Sequence, residues 1–155
     1  MDKQFLERAL ELAQEHSADG LHGPFGAIIV KDGNIIGEGW NQVVETNDPT
    51  AHAEVVALRA ASQHENNFDL SGATVYASCE PCPMCFAASY WAKVSRVVYA
   101  ASKEDAAAIG FDDDFIYKEI NLPHEDRSIE FAQELHEQGK GLLEKWAANP
   151  NKKMY

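Results

Sequence analysis

The stretch Thr74-Val75-Tyr76-Ala77-Ser78-Cys79-Glu80-Pro81-Cys82-Pro83-Met84-Cys85 joins a predicted strand to a predicted helix. Its first half is largely apolar and rich in strand-forming residues, and Pro81 lies where a helix can begin. Cys82 and Cys85 are three residues apart, so in the first turn of a helix they share one face and can bind the same ion. The exposed amides and the dipole of that turn favour thiolate over thiol. The stretch therefore predicts a strand–helix unit with a metal-binding turn at the carboxyl end of the strand.

An upstream run, Asp48-Pro49-Thr50-Ala51-His52-Ala53-Glu54, supplies the other groups that a metal centre needs. Its first three residues resemble a helix cap, and the tip of such a helix would bring His52 and Glu54 close to an ion lying off its end. Catalytic zinc typically takes three protein ligands and leaves the fourth position for water. We therefore predict one Zn²⁺ per chain, bound by His52, Cys82 and Cys85. Glu54 is then the residue that transfers protons.

Cys79, the third cysteine, leaves two interpretations open. It lies three residues before Cys82 and could complete a closed Cys₃His zinc site with a structural role. It also ends the predicted strand, where an unpaired cysteine is most often a buried thiol, and we favour this second interpretation. A disulfide framework is disfavoured because three cysteines cannot all pair within one chain.

The rest of the chain alternates predicted helices and strands, and its 155 residues are most simply one domain. Strands separated by helices favour mostly parallel pairing after an initial hairpin, with helices on both faces of the sheet. We therefore expect a three-layer α-β-α sandwich with a mixed sheet. Its predicted elements are an amphipathic helix around Phe5–Ala13, a hairpin of Phe25–Val30 and Ile35–Trp40 with the turn Asp32-Gly33, a helix at about 50–64, a strand at about 74–78, a helix at about 82–92 and a strand at 96–100.

Composition limits the partners and the location of the protein. With 25 acidic against 13 basic residues, the net charge is −12, which opposes attraction to a nucleic-acid backbone. The charged amino end does not fit a signal or transit peptide, and no apolar run approaches the ~18 residues that a membrane span requires. We expect a cytoplasmic protein with reduced thiols that binds neither membranes nor nucleic-acid polymers.

The motifs resemble those of the cytidine deaminase-like superfamily, whose zinc nucleobase deaminases combine H-x-E with P-C-x-x-C. Here they are His52-Ala53-Glu54 and Pro81-Cys82-Pro83-Met84-Cys85. Within the superfamily the chain is most similar to the short bacterial guanine deaminases, and the resemblance covers essentially its whole length. That similarity lies in Asn41, the run Gly110-Phe111-Asp112-Asp113-Asp114-Phe115-Ile116-Tyr117-Lys118-Glu119-Ile120 and the tail Asn151-Lys152-Lys153-Met154-Tyr155.

The resemblance implies a fold, a reaction and a set of substrate contacts. The fold would be cytidine deaminase-like, and the reaction would be hydrolytic deamination of guanine to xanthine and ammonia by a zinc-activated hydroxide, with Glu54 as proton shuttle. It also implies a homodimer, in which the carboxyl-terminal segment from about residue 123 to 155 packs over an active site of its own or of the partner subunit. The purine would be contacted by Asn41 and Asp113, walled by Phe25 and Trp91, and covered by Tyr155.

Other functions stay open at this stage. One is deamination of another base or nucleoside, such as cytosine, adenine or tRNA adenosine; another is a non-catalytic structural zinc module. The acidic run Asp112–Asp114 would ordinarily be a solvated loop, and the sequence does not identify which of its three carboxylates contacts substrate. A carboxylate at Asp113 favours guanine, which presents N–H groups at N1 and N2, whereas adenine presents an acceptor at N1 that a carboxylate would repel.

Overall fold

The computed structural model describes residues 1–155, which form two compact units, 1–113 and 114–155. None of the helices combines the length and apolar character needed to cross a bilayer. The first unit contains α1 (Asp2–Ser17), β1 (Gly26–Lys31), β2 (Asn34–Trp40), α2 (Val43–Thr46), α3 (Ala53–Glu65), β3 (Thr74–Cys79), α4 (Pro83–Trp91), β4 (Arg96–Ala101) and α5 (Lys103–Ala108).

The four strands form one mixed sheet in the order β2-β1-β3-β4. The predicted hairpin of β1 and β2 is confirmed, and Asp32 and Gly33 both take positive φ in its turn, as a tight hairpin requires. β3 and β4 are parallel, as expected of strands joined by a helix. β1 pairs antiparallel with β3 as well as with β2, so the hairpin is built into the sheet through its first strand.

Helices cover both faces of the sheet, which confirms the predicted three-layer mixed fold. On one face, α1 packs on side chains of β1 and β3, and this core contains Phe5, Leu12, Ile28, Val30 and Tyr76. On the other face, α3 and α4 enclose a core of mostly small and branched residues, among them Ala27, Ile29, Ala57, Leu70 and Val75. The candidate active site lies where α3 and α4 begin.

Helix α3 starts three residues later than the predicted Thr50. His52 is its N-cap, and the first helical residue is Ala53. The Asp48 carboxylate accepts bonds from the Thr50 amide and hydroxyl, so these polar residues close a loop before the helix and do not cap the helix itself.

Helix α4 also starts later than expected. Its N-cap is Cys82, and Pro83 occupies the first helical position, where a missing N–H costs nothing. Pro81 therefore lies in the turn that leads from β3, and the expectation that it begins the helix is wrong. Cys85 remains in the first turn, so the two cysteines are still close enough to share an ion.

The second unit contains α6 (Asp114–Ile120), a short 3₁₀ turn (His124–Asp126) and α7 (His136–Ala148). Helix α7 ends just before Asn149-Pro150, as expected from the proline. Large apolar side chains on α7 are exposed, namely Leu142, Leu143 and Trp146. The expectation of a single domain whose carboxyl-terminal segment covers an active site stays a prediction.

Candidate active site

The three predicted ligands converge on one point. The His52 Nδ1 atom lies 3.5 Å from the Cys82 Sγ atom and 3.6 Å from the Cys85 Sγ atom, and all three ligand atoms lie within 4.8 Å of one another. Zinc–sulfur bonds of about 2.3 Å and zinc–nitrogen bonds of about 2.0 Å at tetrahedral angles place N and S about 3.5 Å apart. The donor set and its spacing therefore fit a zinc ion.

Cys82 and Cys85 share one proton through a side-chain hydrogen bond, and a metal ion could take the place of that proton. Donation from the Cys85 thiol, aided by His52, lowers the pKa of Cys82 to about 4. The same contact with Cys82, together with burial, raises the pKa of Cys85. The imidazole of His52 in turn has a raised pKa because it bonds to Cys82. A cation in place of the shared proton would make both sulfurs thiolate ligands.

Glu54 lies in the first turn of α3 and is 8% exposed, which is unusual for a carboxylate. Burial raises its pKa, and the negative charge of Cys82 acts in the same direction. Its side chain bonds to that of Cys85, so the carboxylate lies beside the ligand group. A buried carboxylate of raised pKa next to a metal position is suited to accept and return protons.

Cys79 is not part of the ligand group. Its Sγ atom donates to the Ser102 carbonyl oxygen at 3.6 Å, and the thiol is buried. Burial, followed by the charge of Glu54, raises its pKa to about 11, so it remains a thiol at neutral pH. This geometry favours the open three-ligand site over the closed Cys₃His alternative.

Two of the predicted purine contacts are adjacent in space. The Asn41 backbone amide donates to the Phe25 carbonyl oxygen at 3.0 Å. The Asn41 side-chain oxygen accepts from the Val43 backbone amide at 3.3 Å. That second bond leaves the side-chain amide nitrogen as the donor that Asn41 can offer. The Phe25 ring meets the Phe111 ring edge-on, with centroids 4.9 Å apart. Sequence reasoning gave Phe111 no role of its own, although it lies two residues before Asp113.

Asp113 is partly buried, and burial followed by the charge of Cys82 raises its pKa. Trp91 is the last residue of α4 and is 66% exposed, and Tyr155 is exposed in the second unit. Their roles as wall and lid remain predictions.

The profile of the cytidine and deoxycytidylate deaminase zinc-binding region matches residues 1–101, which include His52, Glu54, Cys82 and Cys85. This match, the mixed sheet and the ligand geometry agree. The chain belongs to the cytidine deaminase-like superfamily of zinc-binding deaminases.

Within that superfamily the chain is 52% identical to guanine deaminase of Bacillus subtilis over 151 residues, which cover 97% of each protein. The crystal structure of the Bacillus subtilis enzyme superposes with a TM-score of 0.95 at 51% identity, over 99% of this chain and 98% of that one. A structure named NE0047, in complex with 2,6-diaminopurine, has a TM-score of 0.69 at 36% identity, over 73% of this chain and 63% of that one. The tRNA-specific adenosine deaminase of Haemophilus influenzae is 44% identical over 110 residues, 70% of this chain and 63% of that one.

Proposed function

We propose that the protein hydrolyses guanine to xanthine and ammonia. The observation that carries this proposal is the buried Glu54 carboxylate beside a His52, Cys82 and Cys85 group, which can supply three of the four ligands of a tetrahedral zinc site. Zinc bound there would supply a Lewis acid that makes water a nucleophile at neutral pH. Reduced thiols are required of both cysteines, which suits a cytoplasmic location.

Glu54 performs the proton transfers. Its carboxylate accepts a proton from the attacking water and delivers it to N3 of guanine as the oxygen adds at C2. It then carries the remaining hydroxyl proton to the 2-amino group, ammonia leaves, and the C2 carbonyl of xanthine forms. One water is consumed and one ammonia released, so atoms and protons balance. Burial supports this role because a raised pKa lets Glu54 hold the proton between the two steps.

The choice of guanine rests on the groups that would face its edge. The Asp113 carboxylate only accepts hydrogen bonds when ionised, and guanine offers N–H donors at N1 and N2. The side-chain amide nitrogen of Asn41 can donate to a purine acceptor, while the Phe25 ring supplies an apolar wall. Similarity to guanine deaminase over nearly the whole chain, and a related structure that holds a purine base, support this assignment. Trp91 would complete the wall.

A homodimer is part of the proposal. Within the first unit, α4 exposes the rings of Phe86 and Tyr90, which lie 4.8 Å apart. Within the second unit, α7 exposes the apolar residues already named. Apolar patches of this kind ordinarily mark surfaces that bind another protein. A second copy, in which the carboxyl-terminal segments are exchanged and Tyr155 covers the partner's purine, would bury them.

The substrate is tested by ammonia release from guanine, guanosine, adenine and cytosine, measured side by side with zinc-loaded full-length protein. We expect guanine to be the fastest. Deamination of adenine or cytosine in preference to guanine would support another base deaminase, as the similarity to a tRNA adenosine deaminase allows. No ammonia from any of the four would refute a free-base deaminase.

The role of Glu54 is tested separately with Glu54→Gln. This variant should keep one zinc per chain and its thermal stability while losing about 10²-fold or more of its turnover, because the amide cannot shuttle a proton. His52→Ala is the matched control, since it should lose zinc together with activity. Loss of zinc from Glu54→Gln would show that Glu54 is a ligand and would contradict the proposed roles.

A further inference from the structure

Ser78, the penultimate residue of β3, bonds to β1 beyond the end of their backbone ladder. The register of the two strands ends where Ala27 lies opposite Ala77. One residue further, the Gly26 amide donates to the Ser78 hydroxyl at 3.0 Å, in a buried position. Ser78 is itself only 5% exposed. The hydroxyl therefore extends the connection between the strands toward the candidate active site.

On the β1 side, this bond fixes the backbone that carries two proposed purine contacts. Gly26 directly follows Phe25, whose carbonyl oxygen accepts from the Asn41 amide at 3.0 Å. The Phe25 amide donates to the Gly23 carbonyl oxygen at 2.8 Å, which closes a tight turn just before the strand. A shift of Gly26 relative to β3 would therefore move Phe25 and Asn41 together.

On the β3 side, the same bond leads directly to the metal ligands. Ser78 is four residues before Cys82. Two hydrogen bonds hold the chain between them to the end of β4. The Glu80 amide donates to the carbonyl oxygen of Ala101, the last residue of β4, at 2.9 Å, and the Cys79 thiol donates to the carbonyl oxygen of Ser102, the next residue. Ser78 thus connects two segments. One is the held segment that leads to the ligand Cys82, and the other is the start of β1, which follows the purine contact Phe25.

We propose that Ser78 is a positioning residue that holds the purine contacts Phe25 and Asn41 in place against the strand that leads to the ligand Cys82. It acts through these two residues and not on the substrate itself. Its hydroxyl keeps both contacts where they can bind the base, because the groups of a binding site must be held close to their productive geometry by the residues that support them. The inference rests on the proposed function, since it assumes that a base binds against Phe25.

This role has a kinetic consequence that a purely structural role lacks. Contacts of Phe25 and Asn41 with the base are made in both the ground state and the transition state. Loosening them removes uniform binding, which raises KM and leaves kcat nearly unchanged. A variant that is merely less stable has fewer folded molecules, so its apparent kcat falls while KM stays the same.

The experiment compares Ser78→Ala and Ser78→Thr in the zinc-loaded full-length protein. Ser95→Ala is the matched control. The Ser95 hydroxyl also accepts a bond from a glycine amide, that of Gly72 at 2.8 Å, but both residues lie just before β4 and β3 begin, at the end of these strands away from the candidate active site. We expect Ser78→Ala to raise KM for guanine about tenfold with kcat per bound zinc unchanged. Ser78→Thr retains the hydroxyl and should restore KM, and Ser95→Ala should match the wild type.

The inhibition constant of the product xanthine should rise in parallel with KM, because the product contacts the same wall. An unchanged KM in a folded, zinc-loaded Ser78→Ala would overturn the inference, and so would a KM raised equally in Ser95→Ala. If Ser78→Ala does not fold, Ser78→Cys takes its place, since a thiol of similar size is a weak acceptor. If the wild type does not deaminate guanine, the proposed function fails, and the comparison is made with the base that it does deaminate. Inactivity toward all four bases overturns both.

Discussion

Replacing Gly39 by alanine should displace the helix that carries His52 and Glu54. A Cβ atom at Gly39 would lie 2.3 Å from the Ala53 carbonyl oxygen and 2.6 Å from the Ala57 amide nitrogen. Both are backbone atoms of α3, so no flexible side chain can move aside. Ordinary contacts of a Cβ atom begin at 3.4 Å, and β2 and α3 must therefore separate by about 1 Å.

This displacement should affect activity more than stability. Overpacking of a close contact costs about 1–3 kcal/mol in the free energy of unfolding. In a chain of this size each kcal/mol lowers Tm by about 2–4 °C. A misplacement of about 1 Å in a reacting group can cost about 10²-fold in rate, so kcat/KM for guanine should fall by that order. Zinc content should fall as well, because His52 precedes the displaced first turn.

Gly37→Ala is the matched control for this prediction. Its Cβ atom would lie 2.4 Å from the Ala57 carbonyl oxygen and 2.7 Å from the Ala61 amide nitrogen, on the same helix but farther from its start. It should lose a similar amount of stability and distinctly less activity. Wild-type kcat/KM in Gly39→Ala, or an equal loss in both variants after correction for folded protein, would refute positioning of the site by the Gly39 contact.

Three further changes test other parts of the site. Cys79→Ala should retain one zinc per chain at a small cost in packing, and a folded variant without zinc would revive the closed Cys₃His site. Asp113→Asn should lower kcat/KM for guanine at unchanged zinc content, and unaltered kinetics would return Asp113 to the role of a surface residue. Deletion of Tyr155 should cut guanine turnover without loss of zinc, and full activity would exclude a lid. If the tail covers the partner's site, mixing the deleted chain with Glu54→Gln should restore part of the activity, because one mixed site then has both groups.

The cysteine pair of the candidate metal centre was predictable because its information is local. Cys82 and Cys85 are three positions apart, so a helix that starts at this point brings both to one ion. The first residue of helix α4 was harder to predict, because two nearby prolines both fit that position. Pro81 and Pro83 both suit a first helical position, and only the structure shows that Pro83 occupies it.

The arrangement around the metal centre was not predictable, because it depends on residues far apart in the chain. The antiparallel pairing of β1 with β3 brings Gly26 to Ser78, 52 residues away. Packing likewise places the Phe111 ring on Phe25. No sequence period encodes either contact, since each arises from how separate elements pack. The sequence therefore predicts which groups do the chemistry, while the structure shows how the groups around them are held.

Two of the proposed ligands occupy N-cap positions without an ordinary cap. His52 precedes α3 and Cys82 precedes α4, and neither makes the usual side-chain capping bond, although the Cys85 amide bonds to the Cys82 sulfur. In the same chain Ser102 caps α5 with a complete capping box, so the fold can use ordinary caps elsewhere. An absent cap costs a helix about 0.5–2 kcal/mol. At these two positions the side chains meet in the candidate metal site instead, where the dipole of the α4 start would stabilise the thiolates. Zinc bound there would offset the missing caps, and the first turn of α3 would then also hold the proposed proton carrier, Glu54, beside the metal.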